Sequence, residues 1–303
     1  MITKSNFSLA YFKFLEVEEE FEIVEFFGFS ALHLSLTDQP LPSSQLYGSS
    51  LMLRGCVDLN QELRQSLLSG HLPVQMKEMT IFMLDGEGQR LAGYDATALT
   101  VLSAVAGTDG SMDICLAVSH YDTDLMHVNV LQSIWCNGIQ EKNLWAGLDY
   151  LQRRSWLHLV RKHHCLSQTA MEDKPAHMVY EMDGRFITDY PSFFIALGEA
   201  INGPGAYFGG GFDALADCLC GDFGAKTPFS LVWTASDIAR VALDKNKSLE
   251  EVLASREDAL RNHDFEEDEF ASVAEIMRNN TSPLFDNVID NLGRLHAIRL
   301  MLT

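Results

Sequence analysis

The sequence has 303 residues, enough for about two domains that each bury a core of their own. Hydrophobic residues make up 47% of the chain and charged residues 21%, a mixture that excludes intrinsic disorder. Acidic residues outnumber Lys and Arg by 42 to 22, and the formal net charge of −20 argues against direct nucleic-acid binding, which needs clustered cations. Two interpretations of this charge stay open, general solubility and attraction to a basic protein partner.

Six cysteines are scattered along the chain without the spacing of a disulfide framework or a zinc site. Charges interrupt every apolar run of residues 1–20, unlike a signal peptide, and no window approaches 18 uninterrupted apolar residues. We therefore expect a cytoplasmic protein with no membrane segment, no metal centre and no direct contact with nucleic acid.

The first half of the chain is rich in predicted strands. The turn sequence Asp85-Gly86 lies between two apolar runs and predicts a hairpin. The predicted elements are strands at Tyr11–Val17, Phe21–Phe27, Met79–Leu84, Gln89–Tyr94 and Met112–Ser119, and a helix from about Glu141 to His163. A polar stretch that contains Pro175 follows, so we predict an α+β domain of unassigned role at 1–165 and a linker at 166–176.

The second half of the chain predicts strands separated by helices. Ser192 is predicted to cap a helix, and the sequence from Ser248 to Glu251 predicts a capping box. The predicted elements are strands at His177–Glu181, Phe229–Thr234 and Ala297–Leu302, and helices at Phe193–Ile201, Phe212–Cys220, Ser248–Arg261 and Leu284–Leu295. This order predicts a small parallel sheet covered by helices.

A glycine-rich loop at residues 202–211 precedes the short predicted helix Phe212–Cys220. It follows a helix and lacks a Gly-Lys-Ser or Gly-Lys-Thr sequence, so it fits neither a dinucleotide fingerprint nor a P-loop. The glycines instead permit positive φ angles and close approach of the chain. We expect no cofactor here.

Asp213 and Asp217 are four residues apart and therefore share one face of that short helix. Three interpretations stay open: a solvated acidic face, a carboxylate pair for metal binding or acid–base catalysis, and an anionic surface aimed at the cations of a partner. A further carboxylate, His or Cys at ligand spacing is missing from this region of the sequence, which disfavours the metal site.

The segment from Tyr207 to Gly221, YFGGGFDALADCLCG, resembles the signature of the barstar family of ribonuclease inhibitors. The sequence departs from that signature at Gly211, where the family usually has Asn, and at Ala216 and Asp222, where a well-known member has tryptophan. The resemblance extends over about 177–303 and includes, in the same order, Asp183-Gly184, Phe193–Ile201, Pro228–Trp233 and Ala297–Leu302. It implies an α/β fold with a three-stranded parallel sheet and packed helices, and an insertion at about 236–283.

The resemblance also implies a function. It points to an immunity protein, not an enzyme, that binds and blocks a basic ribonuclease toxin made by the same bacterium. Tyr207 would stack in the site of the toxin, and Asp213 and Asp217 would take the place of substrate phosphates. The partner-binding residues that it implies are Tyr207, Gly209, Phe212, Asp213, Ala216, Asp217 and Asp290.

Two other functions remain open on the sequence. The same fold could bind a basic protein that is not a nuclease. Alternatively, Asp213 and Asp217 could gather a divalent cation in a metal-dependent hydrolase. Only a hydrolase would turn over and need added metal, whereas an inhibitor saturates at one partner per chain.

Overall fold

The structure is a computed structural model that describes the following residues: 7–14, 21–29, 31–40, 47–59, 61–69, 78–167, 171–256, 260, 267–279 and 282–303. The chain divides into two compact units, residues 1–138 and residues 139–303. The predicted linker at 166–176, of which 168–170 lie outside the described residues, therefore falls inside the second unit. The physical reason is that the helix before it, Tyr150–Ser167, packs on another helix of that unit, Tyr190–Asn202.

The first unit contains a seven-stranded sheet in which every neighbouring pair of strands is antiparallel. Its strands are β1 (Phe7–Phe14), β2 (Phe21–Phe29), β3 (Ala31–Pro40), β4 (Tyr47–Cys56), β5 (Glu78–Leu84), β6 (Arg90–Ala106) and β7 (Met112–Tyr121). Their order in the sheet is β2-β1-β5-β6-β7-β4-β3. The two edge strands are separated in the chain by residue 30 alone, and β2 also contacts β4, so the sheet curls toward itself.

The strands form here because apolar side chains alternate along them and one face is buried. Met79, Ile81 and Met83 of β5 are all buried. Helix α1 (Gln61–Leu68) packs on β6, and helix α2 (Val128–Trp135) packs on β3 and β5. The predicted strands of this unit are confirmed where they are described, although residues 15–17 of the first prediction lie outside that part of the chain.

The predicted hairpin between β5 and β6 is also confirmed. Its turn is fixed by Asp85, whose Oδ1 accepts hydrogen bonds from the backbone N–H groups of Glu87 and Gln89, both at 2.8 Å. This is the local side-chain to backbone bonding that favours Asp at turns.

The helix predicted from Glu141 to His163 starts later than expected. Leu144–Gly147 form a 3₁₀ turn, Leu148 is extended, and helix α3 begins at Tyr150 and runs to Ser167. A reciprocal pair fixes this start: Asp149 Oδ1 accepts from the Gln152 N–H at 2.9 Å, and Gln152 Oε1 accepts from the Asp149 N–H at 3.1 Å.

The second unit contains the three-stranded parallel sheet that the sequence predicted. The strands β9 (Val179–Asp183), β11 (Phe229–Thr234) and β12 (Ile298–Leu302) lie in the order β9-β11-β12. A separate pair of short parallel strands is formed by β8 (Met171–Lys174) and β10 (Phe223–Ala225).

Helices cover this sheet and bury an aromatic core against it. Besides α3 they are α4 (Tyr190–Asn202), α5 (Phe212–Cys218), α6 (Ser236–Ala242), α7 (Lys247–Ala254), α8 (Glu267–Asn279) and α9 (Leu284–Arg294). The ring of Trp233 lies between those of Phe193 and Phe285, with centroid separations of 5.5 and 5.0 Å. Helices α6, α7 and α8 occupy the segment 236–283 that was predicted to be an insertion.

Two further predicted helix starts are wrong. Helix α4 begins at Tyr190 and is capped by Asp189, whose Oδ1 accepts from the Ser192 N–H at 2.9 Å, while Ser192 Oγ accepts from the Asp189 N–H at 2.9 Å. Helix α7 begins at Lys247, so Ser248 lies inside it and caps nothing. The reason is that Glu251, the other half of the predicted capping box, accepts a hydrogen bond from the Tyr190 N–H at the start of α4.

Candidate functional site

Helix α5 presents two carboxylates to solvent. Its inner face is fixed by Leu215 and Cys218, which are buried, whereas Asp213 and Asp217 are exposed. This arrangement follows from the 3.6-residue period, because residues four apart share a face. We call the exposed pair Asp213 and Asp217 the acidic face.

Neither carboxylate of the acidic face is neutralised within the described part of the chain: the salt bridges found there involve other residues. Asp213 lies in the first turn of α5, where the positive end of the helix dipole stabilises an anion. The described residues also contain no group of three or more His, Cys, Asp or Glu side chains placed to hold a metal ion. The pair is therefore available to external cations.

The glycine-rich loop that leads into α5 is held by the last turn of α4. Glu199 is 2% exposed, its Oε1 accepts from the Gly205 N–H at 3.2 Å, and its Oε2 accepts from the Asn143 N–H at 2.9 Å. Burial raises the pKa of Glu199, and these N–H donors offset part of that shift. Asn202 fastens the other end, since its Nδ2 donates to the carbonyl oxygens of Tyr207 and Phe223, both at 2.8 Å.

Gly209 brings the loop against α5. Its φ angle is +90°, in the region that favours glycine, and an added Cβ would lie 2.9 Å from Leu215 Cα. In the structure, Gly209 thus allows the loop to approach the helix closely. Its predicted contact with a partner is a separate matter.

Phe212 anchors the start of α5 in an aromatic cluster. Its ring lies 5.3 Å from that of Phe194 and 5.9 Å from that of Tyr190, and it is half-buried. Such edge-on pairs stabilise by about 0.5–1.5 kcal/mol beyond their area burial. The contact of Phe212 with a partner, like that of Gly209, stays a prediction.

Tyr207 is the site residue whose surroundings differ most from the expectation. The residue is 8% exposed, and its ring stacks on His164 of helix α3, with centroids 5.3 Å apart and an interplanar angle of 27°. Burial raises the pKa of Tyr207 to about 12. Its own chain covers this ring, and its predicted stacking in the site of a partner stays a prediction.

The remaining two predicted residues lie in different places. Ala216 is half-buried on α5, between the two carboxylates in sequence. Asp290 is exposed on helix α9, one turn after Asp286, which pairs with Arg240 at 3.3 Å. The structure therefore brings together Tyr207, Gly209, Phe212, Asp213, Ala216 and Asp217 on one loop and helix, and Asp290 belongs to a separate helix.

The comparisons with known proteins bear on this loop and helix. Residues 177–278 match the barstar family. The model of that family carries the description "Barstar (barnase inhibitor)". The match spans the glycine-rich loop, α5 and most of the predicted insertion, and it ends before α9, so it does not include Asp290. No curated protein matches the chain.

The match confirms the family resemblance for the C-terminal part of the chain and supports a binding module of the barnase-inhibitor kind. The matched description names an inhibitor, not an enzyme. In the described part of the chain, no helix is both long and apolar enough to cross a membrane.

Sequence reasoning missed the residues that position the site. Glu199 and Asn202 hold the glycine-rich loop, and Arg153 and Asp189 join α3 to α4 through an ion pair of 2.5 Å. One signal was available: Glu199 is a charged residue inside the apolar run from Phe193 to Ile201. A charge at such a place is rarely buried without partners.

Proposed function

We propose that the second unit is an immunity module that binds a ribonuclease toxin and blocks its site with the acidic face of α5. The observation that carries the proposal is the exposure of Asp213 and Asp217, without cationic partners among the described residues, inside the segment that matches the barstar family. The protein would act in the cytoplasm of the bacterium that makes the toxin.

The chemistry of a ribonuclease site supports this pairing. Such a site gathers cations that stabilise the charge of a phosphoryl group in the transition state. Two carboxylates at fixed positions can occupy the place of two phosphates and pair with those cations. The net charge of −20 adds long-range attraction, which speeds encounter with a basic enzyme.

The way in which the loop is held supports tight binding. A surface that is already ordered before association loses less conformational entropy on binding. The buried carboxylate of Glu199, the amide of Asn202 and the close packing of Gly209 all restrict the chain that carries the acidic face.

The test is the inhibition of RNA cleavage by purified barnase, titrated with the full chain. We expect inhibition to saturate at one chain per enzyme, and we expect the Asp217→Ala variant to weaken it most. A charge left unpaired at a desolvated interface costs about 2–5 kcal/mol, or roughly 30-fold to several-thousand-fold in affinity.

Asp237 provides a matched control for Asp213. Each is the second residue of a seven-residue helix, α6 and α5 respectively, and each is exposed. Asp213→Ala should weaken inhibition strongly, whereas Asp237→Ala should leave it nearly unchanged. Equal effects, or a wild-type chain that does not inhibit barnase, would contradict the proposal and favour a basic partner that is not a barnase-type ribonuclease.

A further inference from the structure

Helix α3 lies directly on the loop that carries the predicted partner residues. His164 stacks on the ring of Tyr207, and an added Cβ at Gly210 would lie 3.9 Å from Leu157 Cγ. His164 and Leu157 both lie in the C-terminal two thirds of α3. The family resemblance implies that the ring of Tyr207 contacts the partner. In the structure, helix α3 of the same chain already covers this ring.

Helix α3, which covers the ring of Tyr207, is firmly anchored in the second unit. Trp156 and Leu159 of α3 are fully buried. Arg153 forms a 2.5 Å ion pair with Asp189, and the two side chains are only 13% and 3% exposed. Breaking a buried ion pair costs about 3–5 kcal/mol, so α3 cannot swing away from the loop without a large loss of stability.

Helix α3 also carries positive charge on the face that meets the loop. It contains no Asp or Glu, and its Arg161 is exposed. Leu157, Arg161 and His164 share one face of α3, because they are spaced four and three residues apart, and both Leu157 and His164 face the loop. Arg161 therefore lies on the side of α3 that faces the loop leading into α5. Besides burial, its positive charge and the negative charge of Asp217 both influence the pKa of Tyr207, in opposite directions.

We infer that helix α3 is a permanent wall of the partner-binding surface, which seals Tyr207 and places Arg161 beside the acidic face as a specificity-determining cation. The inference rests on the proposed function for the identity of the surface. The partner that fits is a basic protein whose positive charge is concentrated opposite Asp213 and Asp217. A partner whose cations extend farther would be repelled by Arg161.

The first experiment uses the chain alone and tests whether helix α3 covers the ring of Tyr207. Hydroxyl-radical footprinting, read by peptide mass spectrometry, measures how fast the Tyr207 ring is modified in the folded full chain and in the same chain unfolded in urea. We expect the folded rate to be at least about tenfold lower, since the ring reacts only through local opening. Similar rates in the two states would overturn the inference.

The second experiment tests Arg161 with purified barnase as the probe. Arg161→Glu should increase the association rate at low ionic strength by about threefold or more, because a local repulsion becomes an attraction. Arg299→Glu is the matched control, as it makes the same change of charge at an exposed position of β12. An equal change in both variants would mean that Arg161 is away from the bound partner and would overturn the inference.

The two experiments separate the possible failures. If the wild-type chain does not bind barnase, the proposed function fails, and the footprint of Tyr207 still decides whether α3 covers the loop. If barnase binds but Tyr207 is freely modified, the proposed function stands. The inference that α3 permanently covers Tyr207 then fails.

Discussion

One ion pair of the first unit and one of the second lie in different surroundings, and this difference bears on how a surface is positioned. In the first unit, Arg54 and Asp113 pair at 2.6 Å at the rim of the sheet, with side chains 54% and 35% exposed. In the second unit, Arg153 and Asp189 pair at 2.5 Å in the interior, where Asp189 also caps helix α4. The first sheet is set by strand register, whereas the second unit uses buried charges to place a loop at its surface.

The strongest test of this contrast replaces the arginine of each pair. Arg153→Ala should lower the free energy of unfolding by about 3–5 kcal/mol, because Asp189 would be left buried and unpaired. Arg54→Ala should lower it by no more than about 1 kcal/mol, because water screens an exposed pair. Urea unfolding of both variants measures the difference. Similar decreases in the free energy of unfolding would show that the buried pair contributes no more than the exposed pair.

A second test concerns the buried carboxylate under the glycine-rich loop. Glu199→Ala should lower the free energy of unfolding by about 1–3 kcal/mol, because the N–H groups of Gly205 and Asn143 lose their acceptor. Hydrogen exchange at these two amides should accelerate in the same variant. Glu181→Ala, at an exposed position of β9, is the control and should change neither the free energy of unfolding nor the exchange rates. If hydrogen exchange is unchanged in Glu199→Ala, the carboxylate of Glu199 does not hold the loop.

A third, smaller effect is expected from Glu251, whose pKa burial raises to about 7. The negative charges of Asp189 and Glu250 contribute to this rise, and the Tyr190 N–H and Lys247 offset part of it. Because the folded state holds this proton more tightly than the unfolded state does, the contribution of Glu251 to stability falls as pH rises from about 4.5 to 7.

The size of this pH effect is up to roughly 2 kcal/mol once solvent screening is allowed for. Glu251→Gln should flatten the dependence of the free energy of unfolding on pH in that window. Urea unfolding at pH 5, 6 and 7.5 compares the variant with the wild type, and parallel pH profiles would show that Glu251 titrates normally.

Local patterns in the sequence were sufficient for several elements. Phe229–Thr234 was predicted with its correct ends, and in the structure its side chains alternate between buried and half-buried. The shared face of Asp213 and Asp217 follows from helical spacing alone. The order of strands and helices along the chain predicted the parallel sheet, and the family resemblance implied the same three-stranded arrangement.

The remaining features depend on contacts that are distant in sequence. Asp189 and Ser192 are both good capping residues three positions apart, and only Pro191, which favours the first turn, indicates the earlier start. The covering of Tyr207 by His164 could not be predicted, because it joins residues whose packing depends on the path of the whole chain.

The central strand β11 has a consequence for the kinetics of folding. It is the middle strand of its sheet, yet Phe229 pairs with Ile298 and Trp233 pairs with Met182, so both of its neighbours come from distant parts of the chain. Sheets closed by such non-local pairs have high contact order and fold slowly, because long loops must close before any pairing stabilises them. The supply of folded protein would then depend on the time the sheet takes to assemble, as well as on the rate of its synthesis.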